Sequence, residues 1–134
     1  MDKQQPAKNS QYYTDDHEWI DFQGTVAYIG VSSFKLIGFR AIEQVIFSDK
    51  SGIKKRGDLI STIKYNDYTI KLHMPVDGKL LEMNTNLIYG DDNFLLQYAE
   101  SVWIAKIEPL LPNERKHLLL PRQYQLKGKN KYAK

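Results

Sequence analysis

Thr69-Ile70-Lys71-Leu72-His73-Met74-Pro75-Val76-Asp77-Gly78 is the stretch from which the architecture follows. Ile70, Leu72 and Met74 alternate with Thr69, Lys71 and His73, the period-two pattern of a strand with one buried face. Pro75 presets φ and Gly78 accepts a turn conformation, so Pro75-Val76-Asp77-Gly78 is a corner. Lys79-Leu80-Leu81-Glu82-Met83 resumes as a further strand. On the other side, Tyr65-Asn66-Asp67-Tyr68 divides this strand from Leu59-Ile60-Ser61-Thr62-Ile63. Asn and Asp tolerate positive φ and bond their own backbone, which makes Asn66-Asp67 a hairpin tip.

The same grammar extends in both directions. Trp19, Ile20 and Phe22 stop at Gln23-Gly24 and Thr25-Val26-Ala27-Tyr28-Ile29 resumes at once, which predicts a hairpin with a glycine turn. Val31 to Gly38 changes period: a serine N-cap, Phe34 and Ile37 three apart, and a closing glycine predict a short helix. Val45-Ile46-Phe47 is a buried strand, and Gly52 to Asp58 is a glycine-bracketed basic turn. Asp91-Asp92 caps a short helix through Phe94, Leu95 and Leu96, and Val102 to Ile107 is the closing strand. Short strands between Gly and Pro turns, with few helices, indicate a mainly β barrel or sandwich.

The chain has 134 residues, 42% hydrophobic, enough for one domain with a real core. It contains no cysteine, which excludes disulfides, thiolate metal sites and cysteine nucleophiles. No apolar run approaches a membrane span and Met1 to Ser10 is polar, so a cytoplasmic protein with no membrane partner is expected. From Pro109 to Lys134 there are seven basic residues and one acid, a net +6, which leaves residues 1–108 at −3 against the overall +3. A basic nucleic-acid-binding body is therefore not indicated, and the surplus cations belong to a tail.

Enzyme chemistry has little support in these residues. His17, His73 and His117 have no metal-ligand spacing, and no paired carboxylates accompany them. His73 is expected on the exposed polar side of its strand. His17, in Asp15-Asp16-His17-Glu18, is expected to contact neighbouring carboxylates where the chain enters its strand. Neither a nucleophile elbow nor a phosphate-binding glycine loop is present. Catalytic residues, metal ligands and a small-molecule substrate are not expected.

The order of segments resembles a known family. Tyr13-Thr14-Asp15-Asp16-His17-Glu18-Trp19-Ile20 resembles the Y-T-x-x-H-E-W opening of the glycine cleavage system H protein. Ala27, Gly30, Val31 and Ser32 fall in place in the following segment, up to Gly38. Gly52-Ile53-Lys54-Lys55-Arg56-Gly57-Asp58 is similar to G-x-x-V-x-x-G-D/E, Met74 to Gly78 resembles the family's A-P-V-S-G corner, and Trp103 to Ile107 resembles its closing W-x-x-K-I. The resemblance covers about residues 12–108.

It implies a flattened barrel-sandwich hybrid, the lipoyl/biotinyl-carrier fold, with short helices. It also implies a lysine at a hairpin tip carrying lipoate on a swinging arm. That arm takes an aminomethyl group from a pyridoxal-phosphate glycine decarboxylase to a tetrahydrofolate-dependent aminomethyltransferase, and a flavin dehydrogenase reoxidises it. The family's attachment motif is E-S/T-V-K-A, its lysine eight residues before the corner proline. Eight residues before Pro75 is Asp67, and the whole motif reads Lys64-Tyr65-Asn66-Asp67-Tyr68. Amide formation needs an amine, which a carboxylate does not supply. Lys64 and Lys71 are the nearest amines, and an odd slip of the hairpin toward either would turn Ile70, Leu72 and Met74 to solvent.

The expectation is therefore a lead over 1–11, an H-protein-like domain over 12–108 and a basic tail over 109–134. The module is not an enzyme. It binds protein partners, glycine cleavage enzymes among them, through Tyr65, Asn66, Asp67 and Tyr68, without a cofactor. The alternative is a genuine lipoyl carrier modified at Lys64 or Lys71.

Overall fold

The computed structural model describes residues 11–47, 52–89 and 93–125. Nine strands follow in chain order: β1 (Gln11–Tyr13), β2 (Glu18–Gln23), β3 (Val26–Val31), β4 (Gln44–Phe47), β5 (Gly52–Lys54), β6 (Leu59–Tyr65), β7 (Tyr68–His73), β8 (Gly78–Met83) and β9 (Ala105–Pro109). They form a six-stranded sheet in the order β1-β2-β3-β9-β8-β5 and a three-stranded sheet in the order β4-β6-β7. The described pairings are all antiparallel. Among the described residues helix is confined to short turns, α1 (Asn86–Tyr89) and α2 (Asn93–Gln97) among them. Among the described residues no helix is long and apolar enough to cross a membrane.

The alternating strands place one apolar face of each sheet against the other. Ile20, Ala27, Ile29, Val31, Leu80 and Ile107 from the larger sheet share a buried cluster with Val45, Ile60, Ile63 and Leu72 from the smaller. The period-two reading of 69–74 holds, since Leu72 and Met74 are fully buried whereas Thr69 and Lys71 are exposed. Strand β2 is covered on both faces: Ile20 faces the main core, and Trp19 faces Tyr13 and Tyr124. The Trp19 indole lies over its cross-strand partner Gly30, where a Cβ would come within 2.6 Å of the ring, and donates to the Ala99 carbonyl at 3.0 Å. A glycine at 30 is required by that packing.

Several local expectations are corrected. Only the turn after Ser32 is helical, as a 3-10 segment Ser33–Leu36, and its buried residue is Leu36, while Phe34 and Ile37 face outward. Gly52 to Lys54 is a strand paired with β8, so the basic turn begins only at Lys55. The closing strand starts at Ala105, because a 3-10 turn over Ala99–Ser101 occupies the approach. The expected cap at Asp91-Asp92 lies outside the described residues.

Both expected domain boundaries also move. Gln11, expected in the lead, is buried in β1, its amide donating to the Glu100 carbonyl and its oxygen accepting from the Tyr13 hydroxyl. In the stretch from Pro109 to Gln125, expected as part of a solvated tail, Pro109 ends β9, and Arg115, Leu119 and Tyr124 pack against β1 and β2. Arg115 lies over the Phe22 ring at 3.4 Å and the Tyr12 ring at 5.0 Å from their centroids. Leu119 exchanges two backbone hydrogen bonds with Tyr13 along the outer edge of β1. Tyr124 stacks on Tyr13 at 4.2 Å, and its hydroxyl donates to Ser32 Oγ at 2.9 Å. Net charge concealed these contacts, because Leu118, Leu119 and Tyr124 dock the segment together with Arg115, whose guanidinium lies on aromatic rings rather than in solvent. Residues 1–10 and 126–134 of the two expected segments lie outside the described residues.

Replacing Tyr124 with alanine removes a buried ring and its hydroxyl bond to Ser32. The expected loss is about 2–4 kcal/mol of unfolding free energy, read from urea titration. A loss below about 0.5 kcal/mol, the level of an ordinary surface substitution, would show that the segment does not support the fold.

Candidate functional site

Strands β6 and β7 meet in a two-residue turn. Tyr65 pairs with Tyr68, and Asn66 takes the positive φ of 54° that its side chain tolerates. The tip does not stand free. The Asn66 backbone N–H donates to the Glu43 carboxylate at 2.9 Å. Phe39 packs against both tyrosines, 5.9 Å from Tyr65 and 5.8 Å from Tyr68 by ring centroids, and the two tyrosines meet edge-on at 6.2 Å. Tyr68 also crosses Gly38, where a Cβ would meet its ring at 2.7 Å. Tyr65 packs partly into the core, while Tyr68 remains 50% exposed. One tyrosine therefore anchors the hairpin and the other offers contact area. A cavity of about 360 Å³ lies beside them, lined by Gly38, Arg40, Tyr65, Asn66, Asp67 and Tyr68.

The two lysines lie down the strands from this turn. Lys64 pairs with Thr69 and Lys71 with Thr62, and the Lys64 carbonyl accepts from the Glu43 N–H. The second residue of the turn is Asp67, whose side chain has no amine with which to form an amide to lipoate. Those turn residues do not fit a lipoyl attachment.

A second constellation, at the far end of β7, was not legible in the sequence. Glu18, buried on β2, accepts on Oε2 from the His73 backbone N–H at 2.8 Å, and the same oxygen lies 2.9 Å from His73 Nδ1. Lys35 brings its ammonium to 3.2 Å from Glu18 and 2.7 Å from Asp16. His73, expected on an open polar face, is thus half-buried in an ionic cluster, because the carboxylate that satisfies it arrives from the other sheet. His17 stands at the entry to β2, where its φ of 62° turns the chain, and its Nδ1 lies 2.6 Å from the Tyr124 hydroxyl, a contact that sequence reasoning missed. The adjoining cavity is about 460 Å³ and includes Arg56 and His117 in its wall. Asp16, Glu18 and His73 place one ligand atom each within 4.8 Å of one another. The Lys35 ammonium already supplies the cation between the two carboxylates, so the arrangement is complete as an internal ion cluster.

Electrostatics divide the two acids. Burial pushes the Glu18 carboxyl above its ordinary 4.5, although Lys35 and His73 pull the other way. Burial also acts on Asp16, but there Lys35 and His73 prevail and hold it below 3.8. A raised carboxyl binds its proton more tightly in the folded chain, so stability falls as pH rises from 4.5 toward the folded value. A lowered one contributes stability that is lost as pH falls from 3.8 toward its folded value. Urea midpoints measured across this range should lose the upper decline in Glu18→Gln and the lower rise in Asp16→Asn. Unchanged slopes in both variants would contradict the assignment.

The family model described as glycine cleavage H-protein matches residues 11–131, and so reaches most of the way through the segment expected as a tail. The glycine cleavage system H protein of Alkaliphilus oremlandii is 31% identical over 115 residues, covering 84% of this chain and 87% of that protein. That of Leptospira biflexa is 32% identical over 123 residues, covering 88% and 90%. A crystal structure of a glycine cleavage system H protein from Mycobacterium marinum superposes with a TM-score of 0.74 at 20% identity, over 90% of this chain and 97% of that one. The fold is accordingly the mainly β barrel-sandwich hybrid expected from the sequence. The chain belongs to the glycine cleavage H-protein family.

Proposed function

We propose that this chain is an H-protein-family module that carries no lipoate and acts by binding protein partners through the β6–β7 tip. The observation that carries the reading is Asp67 in the two-residue turn, with Lys64 in the second pair of the ladder and Lys71 in the fourth. A swinging arm requires an amine at an exposed tip. Here the tip presents a carboxylate, an amide and a half-exposed tyrosine, and Glu43 and Gly38 hold it against the barrel.

Such a tip is suited to contact rather than to group transfer. Tyrosine buries a large area at small entropic cost, and a turn already fixed by Phe39 and Glu43 loses little freedom when a partner docks. The names of its relatives make glycine cleavage enzymes the natural partner class. In this reading the chain is not itself a catalyst.

A lipoate–protein ligase assay tests the proposal. Wild-type protein should gain no lipoyl mass under conditions that fully load the H protein of Alkaliphilus oremlandii. Asp67→Lys, which restores an amine at the tip, should gain one lipoyl group. Modification of the wild type that Lys64→Ala or Lys71→Ala abolishes would replace the binding module with a true carrier.

A further inference from the structure

Strand β7 is an edge strand, paired with β6 on one side only. Which of its backbone groups face the open side follows from the hairpin register. In a two-residue hairpin the closing pair, Tyr65 and Tyr68, exchanges hydrogen bonds, so alternate residues turn their groups outward. Two independent contacts fix that phase. The Lys64 carbonyl bonds away from β7, to the Glu43 N–H, and the His73 N–H bonds away from β6, to Glu18. Thr69 and Lys71 share that phase, so the N–H and C=O of both point to the open edge. Among the described residues no backbone partner meets them there, and both residues are exposed.

The other end of this barrel shows what a managed edge looks like. Strand β1, at the edge of the larger sheet, is covered by the Leu119 segment through two hydrogen bonds to Tyr13. On β7, the Glu18 carboxylate closes the edge at His73 and the turn closes it at Tyr68. Between those stops a short template remains, long enough for the central residues of one extended segment.

Charge selects its occupant. Strands β4, β6 and β7 contain no Asp or Glu, and Lys64 and Lys71 have no ion-pair partner among the described residues. Lys71 lies on the same sheet face as Thr62, Thr69 and Lys64. A residue paired with Thr69 or Lys71 from outside would place its side chain on that cationic face. A second copy of β7, centred on Ile70, would meet in register yet bring its own Lys71 onto that face, with Lys64 of its β6 behind it, which opposes self-pairing. We infer that the Thr69–Lys71 edge of β7 accepts, by strand addition, an extended segment of a partner protein with acidic side chains at alternate positions. Main-chain bonds supply the attachment and the lysines supply the selection. The inference goes beyond the tip reading and does not depend on it, because the edge is the same whether or not any lysine carries lipoate.

The test uses the full unmodified chain and an end-capped peptide of alternating glutamate and valine, titrated by amide NMR at low salt. The Thr69 and Lys71 amides should shift on addition of peptide, and Lys71→Glu should weaken binding at least tenfold. Thr69→Pro removes an outward N–H that makes no bond to β6, a place where edge strands tolerate proline. It should abolish binding while the thermal transition persists. Lys71→Glu keeps the backbone intact and stands as the deciding variant if Thr69→Pro fails to fold. Absence of binding, equal binding of an alternating lysine–valine peptide, unchanged affinity in Lys71→Glu, or concentration-dependent self-pairing through β7 would each overturn the inference.

Discussion

One carboxylate holds the two sheets in relation to each other. Glu18 begins β2 of the larger sheet, and its Oε2 accepts from the backbone and lies against the ring of His73 on β7 of the smaller one. Lys35, from the 3-10 turn after β3, joins the same oxygen. A buried carboxylate without such partners would cost several kcal/mol, about the margin by which a small domain stays folded. The hydrophobic core presses the sheets together without preference for direction, whereas this cluster fixes where β7 lies. It thereby fixes one end of the hairpin whose other end is the candidate site, and Glu43 and Phe39 secure that end.

Next to Glu18 in the chain, Trp19 extends the same constraint to the opposite face. Its indole requires glycine at position 30 and reaches the carbonyl of Ala99. Beyond it, Tyr13 and Tyr124 stack and bring in the C-terminal segment. Burial and the charge of Glu100 beside it hold the Tyr13 hydroxyl as a proton donor, raising its pKa to about 12. The H-E-W opening of the sequence is therefore structural in each of its three letters. His17 turns the chain and meets Tyr124, Glu18 ties the sheets, and Trp19 fills the second core.

Much of this was legible beforehand. Alternation in Thr69 to Met74 located a half-buried strand, Asn66-Asp67 located the turn, and Gln23-Gly24 located the first hairpin, because period and turn chemistry are local properties. What escaped were contacts between distant residues. Nothing in the neighbourhood of His73 announces Glu18, 55 positions away, so its polar-face position read as exposure. The segment after Pro109 was misjudged because net charge averages over a stretch in which Leu118, Tyr124 and the ring-stacked Arg115 do the docking. A count of its apolar residues beside its charges would have signalled a strap. At the candidate site the residue types were legible, while the division of labour between Tyr65 and Tyr68 was not, since it depends on Phe39 and Gly38 arriving from another loop.

A scaffold of the H-protein family here carries Asp67 in the turn where a swinging arm would need an amine, and the central proposal is that the chain works unmodified. The most direct measurement is the intact mass of the protein purified from its natural host, with peptide mapping of residues 56–79. A chain that works unmodified gives the unmodified mass, from cells whose other carriers are lipoylated. One added lipoyl group on Lys64 or Lys71 would contradict the proposal.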